Sequence, residues 1–231
     1  MKQGAFELSV NIGGANVTEY HHHGETMIEA IPNMEYELVV RSQLRTESKV
    51  VLSVDGLDVL TGKPASLTDI SGYIIPAFGS MSIPGWRLNN DAVAKFKFGY
   101  RPYAEHQGGP QNVGVIGAAF FLKKEKPRYV FDGLWRDGYS DISGSPTRGR
   151  GGMKTMGIGT EFGREQTHRV RNVEFEAEDS PRGIITLRYD TREGLESLGI
   201  RVRGCSACGD RLSAQAFPGL GCVPPPGWSG R

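Results

Sequence analysis

The sequence predicts an all-β protein: an antiparallel β-sandwich, jelly-roll-like or Ig-like, with a long loop insertion and an extended C-terminal arm. Three observations lead there. Short apolar or alternating runs recur about every 10 to 15 positions between residues 5 and 123, each bounded by Gly, Pro, Asn or Asp. No amphipathic stretch of helical period separates them, which excludes β-α-β units and a parallel doubly wound sheet. Glycine (32) and proline (13) among 231 residues supply many turns without reaching a low-complexity composition.

In chain order, Phe6, Leu8, Val10 and Ile12 are apolar at period two, the pattern of a half-buried strand, and Gly13-Gly14 turns the chain. Met27 to Ile31 and Tyr36 to Arg41 follow, divided by Pro32-Asn33, and Lys49 to Val54 ends at the turn pair Asp55-Gly56. Gly72 to Ile75, Met81 to Ile83 and Ala92 to Phe98 continue the series. The last of these places Phe96 and Phe98 on one face and Lys95 and Lys97 on the other. Asn112 to Leu122 closes residues 1–123, the predicted sandwich core.

Residues 124–169 are dense in Gly and charge, without sustained periodicity, and read as a long excursion holding one short strand at Tyr129 to Phe131. Residues 170–203 read as an added hairpin, Val170 to Glu176 with Gly183 to Tyr189, turning at Ser180 to Gly183. A short helix capped by Thr191 and ended by Gly199 completes them. Residues 204–231 hold all three cysteines and the CVPPPGW close, the composition of an extended arm.

The series VDGLDVLTGKPAS (Val54 to Ser66), SGYII (Ser71 to Ile75), IPGWR (Ile83 to Arg87), AKFKF (Ala94 to Phe98) and NVGVIGAAFF (Asn112 to Phe121) resembles a group of bacterial and viral proteins. That group carries V-D-G-x-x-V-x-x-G-x-x-A, then G-Y, G-W-R and N-V-G-V-I-G in this order. The similarity extends to TLRYDTREGLESLGI and the proline-rich ending. It implies a shared architecture and includes viral members, but brings no established activity to these residues.

Charge and hydropathy narrow the function classes. Basic (27) and acidic (26) residues nearly cancel, so no global field favours nucleic acid or an anionic membrane. The longest apolar run, Val113 to Leu122, falls well short of the roughly 20 residues of a membrane-spanning helix. The N-terminal MKQGAFELSVNIGG lacks an apolar signal region, so a virion or cytoplasmic location is expected.

Several constellations could carry chemistry. Cys205-x-x-Cys208-Gly with Cys222 presents three thiolates, and a Cys₃His zinc site would need His168 or another histidine. The plainer reading is reduced thiols or one disulfide, so no cofactor is expected, with structural zinc as the alternative. His21-His22-His23 reads as a solvent-facing polar loop, because neighbouring residues on a strand face opposite ways and only His21 and His23 could share a metal. Asp55 and Asp58 suit Ca²⁺ or acid–base work, but their spacing is equally that of an Asp-Gly turn with an Asx bond. No nucleophile motif of the S-x-x-K or G-x-S-x-G kind is present, so an enzyme is not expected. Arg148 and Arg150 form an RGG-like element, and with Arg164 and Arg169 they lie in a basic stretch followed by an acidic one over 172–198. Such neighbours suit head-to-tail contact between copies better than nucleic acid. Trp86 reads as a core residue, whereas Trp135 and Trp228 lie in segments that need partners.

The expectation is therefore a non-catalytic structural protein of a larger assembly, a minor, vertex or decorating capsid component, contacting further copies or other shell proteins through its loop and arm. Two alternatives stand beside it. One is a β-sandwich binding module for carbohydrate or protein, with Tyr100, Tyr103 and the tryptophans as a stacking platform. The other is a zinc-stabilised enzyme or regulator.

Overall fold

A computed structural model describes residues 1–68, 71–106, 112–124 and 158–202. Two sheets pack face to face. The first contains β1 (Lys2–Gln3), β2 (Phe6–Ile12), β3 (Ala15–Asn16), β6 (Glu35–Ser42), β10 (Ser80–Ile83), β11 (Gly85–Arg87), β12 (Ala92–Gly99) and β14 (Gly159–Thr167). The second runs β4 (Glu19–His22), β5 (Glu25–Glu29), β15 (Gly183–Asp190), β13 (Val115–Leu122), β7 (Ser48–Val54), with β8 (Leu57–Asp58) and β9 (Tyr73–Ile75) both paired to β7. Two short helices, α1 (Tyr103–His106) and α2 (Arg192–Ser197), complete the described elements.

The period-two pattern does what it predicts. Leu8, Leu38, Val40, Phe96 and Phe98 point inward from the first sheet and meet Leu52, Ile116, Phe120 and Leu187 from the second, all buried. Aromatic stacking locks the layers together, Phe6 on Phe120 with ring centroids 4.3 Å apart. Strand β13 is buried along most of its length, as its continuous apolar run requires: Phe120 faces the core, while Ala119 and Phe121 pack on the opposite face with Val51. Strands β6 and β12 touch only at Tyr36–Phe96 and Glu35–Lys97, then part to admit β10 and β11. These last two are interrupted only by Pro84, where a ladder bond is lost.

Three readings of the sequence are corrected. The run 159–167 is a nine-residue strand, β14, paired to β12, although it lies in the expected excursion. Its two glycines and its charges mask alternation, and a bulge places Gly163 and Arg164 opposite Lys95 alone. Residues 170–176 form no strand and no hairpin with 183–189: β15 instead pairs antiparallel to β13 and parallel to β5, the one parallel pairing among the described strands. The alternation of VRNVEFE is real, but residues 171–175 form no ladder with any described strand before Ala177 bridges to Lys123. The histidine run is not a loop: His21 and His22 lie on β4, and His23-Gly24, both at positive φ (49° and 82°), make the tight turn into β5. The Thr191 cap is as expected, its side chain accepting the Gly194 N–H, and Gly199 ends the helix at φ 83°. Residue 129 to 131, where a strand was expected, lies outside the described residues.

Candidate functional site

The segment 168–178 is a strap across one flank of the sandwich. At its first end, His168 N–H and Val170 N–H donate to Asp91 and Asn90 carbonyls, and Arg87 donates to the His168 carbonyl (2.6 Å) and to His168 Nδ1 (2.7 Å). Guanidinium has no acceptor, so His168 Nδ1 is unprotonated. Burial, then the Arg87 charge, hold the His168 imidazole below its ordinary pKa, against a hydrogen bond with the Ser82 backbone. Arg87 also donates to the Tyr73 hydroxyl at 3.1 Å. The ring of His168 thus serves the strap anchor. At the other end, Lys123 bridges to Ala177, Lys124 N–H donates to the Glu176 carbonyl, and Glu178 N–H donates to that of Leu122.

Between these anchors, residues 171–175 make no backbone–backbone hydrogen bond among the described residues. Beneath and beside them lies a cleft of about 830 Å³, within the range of built binding sites. Its apolar lining comes from Leu60, Tyr73, Ile74, Pro76, Met81 and Val173. Arg169 and Arg171 lie at one end of the strap sequence, and Glu174 and Glu176 at the other. Strand β9 pairs only with β7 among the described residues, so its outer edge is open on this flank. The basic-to-acidic switch read from the sequence is therefore laid out along one wall of a cleft.

A second arrangement is sealed. Asp55, at φ 53° in the two-residue turn between β7 and β8, is 1% exposed. Its Oδ1 accepts from Gly114 N–H (2.9 Å) and Tyr189 O–H (2.6 Å), and its Oδ2 accepts from Thr160 N–H (2.7 Å). Thr160 Oγ1 lies 2.8 Å from the Tyr189 hydroxyl and 2.7 Å from that of Tyr36. With Tyr189 donating to the carboxylate, Thr160 donates to Tyr189 and Tyr36 to Thr160, which satisfies each hydroxyl in turn. The relay joins β6 and β14 of one sheet to the β7 turn and β15 of the other. Burial pushes the Asp55 carboxyl up to about 6, opposed by those hydrogen bonds. It also raises Tyr36 and Tyr189 well above the usual phenol, with the Asp55 charge adding to it.

The remaining site candidates fall as follows. Asp58 holds its own turn, Oδ1 accepting from Leu60 N–H, Thr61 N–H and Thr61 Oγ1, which is the Asx reading of the sequence. Arg164 pairs with Glu35 on the outer face at the β14 bulge, and Arg169 lies 3.6 Å from Asp91 beside the cleft. Trp86 is buried, edge-on to Phe96 and Tyr103. Among the described residues no three His, Cys, Asp or Glu side chains gather as a metal site. Cys205, Cys208, Cys222, Arg148, Arg150, Trp135 and Trp228 lie outside the described residues. Sequence reasoning missed Arg87, Thr160 and Tyr189. The only available signal was chemical: a polar residue amid apolar strand positions, as Tyr189 is in GIITLRYD.

No protein-family model, curated protein or solved structure matches this chain.

Proposed function

We propose that this protein is a non-catalytic structural component of a larger assembly, a capsid-associated protein of the minor, vertex or decorating kind, that contacts its neighbours through the strap cleft and the C-terminal arm. The observation that carries this reading is the strap: five residues, 171–175, without backbone partners among the described residues, beside the open edge of β9. Unpaired backbone of this kind is a template for another chain. The motif series, which resembles one in a group that includes viral proteins, points the same way. Asp55, whose carboxyl pKa is raised by burial, supports no competing catalytic reading, because it is sealed in the core with both oxygens engaged. Light scattering on the eluting full chain across salt concentrations tests the proposal. A defined multimer, or association with a larger particle, is expected; a monomer at every concentration and salt overturns it.

One observation favours a second reading, a carbohydrate-binding module. Phe162, 40% exposed on β14, meets Tyr103 edge-on at 4.5 Å with Trp86 beneath. A sugar stacked on this face would change Trp86 fluorescence in an oligosaccharide titration, and an unchanged signal removes this reading.

A further inference from the structure

Resting on the assembly reading, we propose that the strap cleft of one copy receives residues 210–217 of a neighbouring copy as an added β-strand between β9 and the strap. The acceptor side has the requirements of strand addition: the outer edge of β9 and the backbone of 171–175 both lack backbone partners among the described residues, across an apolar cleft. The donor side follows from the sequence of the arm. Residues 210–217 (DRLSAQAF) are its longest run without Gly or Pro, and residues 212–217 carry no charge. Alternation puts Leu212, Ala214 and Ala216 on one face of a strand, toward the cleft, and Ser213, Gln215 and Phe217 on the other, polar except at its last position.

Reach decides between the chain's own cleft and a neighbour's. Val202, the last described residue, packs with Met27 of β5, and β5 lies four strand spacings from β9 in the order β5-β15-β13-β7-β9. At about 4.8 Å each this is roughly 19 Å in a straight line. The eight Cα steps from Val202 to residue 210 extend to about 29 Å at most, against roughly 24 Å to a strand one spacing beyond β9, which leaves little for a path around the sheet. A second copy carries no such restriction. Because the arm leaves beside β5 and the cleft lies beyond β7, the exchange is head-to-tail and builds a ring or an open chain of copies.

The arm supplies its own probe, since the chain's three cysteines, Cys205, Cys208 and Cys222, flank this segment. Asn172→Cys on the strap of the full chain is oxidised mildly and analysed by non-reducing gel and peptide mapping, with Glu165→Cys on β14 as the control. A disulfide between copies joining position 172 to Cys208 or Cys222, absent from the control, is the expected result. The same disulfide within one chain overturns exchange between copies. A multimer that persists without either cross-link overturns the cleft assignment and leaves the assembly reading standing, whereas a protein monomeric throughout removes both. Ala214→Pro in the arm and Val173→Lys on the exposed strap surface give a second measure that does not depend on oxidation. Each should weaken self-association at least about tenfold by light scattering. Unchanged association in both variants, with native far-ultraviolet spectra, overturns the proposal.

Discussion

The flank closed by β14 and the flank crossed by the strap treat exposed backbone in opposite ways. Strand β14 is bonded to β12 along nearly its whole length, is bent by a bulge, and carries ion pairs on its outer face: Lys97 with Glu161 at 2.9 Å, and Arg164 and Lys95 with Glu35 at 2.9 and 3.4 Å. It is also pinned from inside, where Thr160 enters the Asp55 relay. Charge and bulging are the devices by which natural edges avoid pairing with other chains. The strap flank has its cations and carboxylates segregated toward the two ends and only Asn172 and Val173 between, the latter 56% exposed. One margin is thus guarded and the other left open, and on the proposed assembly reading the first serves stability and the second contact.

The strongest way to break that contrast is to remove the pin. Asp55→Ala strands the Thr160 and Gly114 N–H groups and the Tyr189 hydroxyl in the core, at about 1–3 kcal/mol for each unsatisfied group, partly offset by relief of a buried charge. A net loss of roughly 2–4 kcal/mol in urea unfolding is expected. Proton linkage gives a sharper test. The folded carboxyl near 6 exceeds its ordinary 3.8, so the folded state holds the proton more tightly. The stabilisation from that proton is complete below the unfolded value and is lost as pH rises through about 6. Asp55→Asn, which cannot titrate, should therefore show its largest deficit near pH 4 and a smaller one at pH 7. A constant gap across that range would place the charge elsewhere.

Arg87→Met comes next, because it loosens one end of the strap through a side chain that does not itself line the cleft. Hydrogen bonds to charged groups contribute about 1.5–3 kcal/mol each, and Arg87 makes bonds to the His168 carbonyl, His168 Nδ1 and the Tyr73 hydroxyl. Unfolding stability should fall by roughly 1–3 kcal/mol, and proteolysis should shift to residues 171–175. Without the guanidinium the His168 pKa should rise toward 6.5, read by NMR titration. In the native protein that depressed pKa means the anchor contributes fully above about 6.5 and weakens as pH falls.

How much of this was legible in the sequence depends on the kind of residue. Strands with a clean apolar face, such as Phe6–Ile12 or Ala92–Gly99, announce themselves because one face must be buried. The Asp55-Gly56 turn was equally plain, since both positions need positive φ, here 53° and 80°. Its burial was not, because residues far along the chain, Gly114, Thr160 and Tyr189, cover it, and pairing at separations above 50 residues leaves no local trace. The strap misled in the opposite direction. VRNVEFE has the alternation of a strand, yet alternation states only that two faces differ, not that the segment enters a ladder.

The smallest effect tests the guarded margin itself. Glu35→Gln removes the carboxylate that Arg164 Nε and Lys95 Nζ share at the bulge, while retaining an amide oxygen that can still accept from the Arg164 N–H. Arg164 is largely exposed and the pairs are partly screened by water, so stability should fall by no more than about 1 kcal/mol. If charge at the bulge holds the β14 edge apart from other chains, Glu35→Gln should increase salt-sensitive, non-specific aggregation while leaving the defined multimer unchanged. Should the defined multimer be lost instead, β14 would be part of the contact surface, and the division between a guarded and an open flank would have to be reversed.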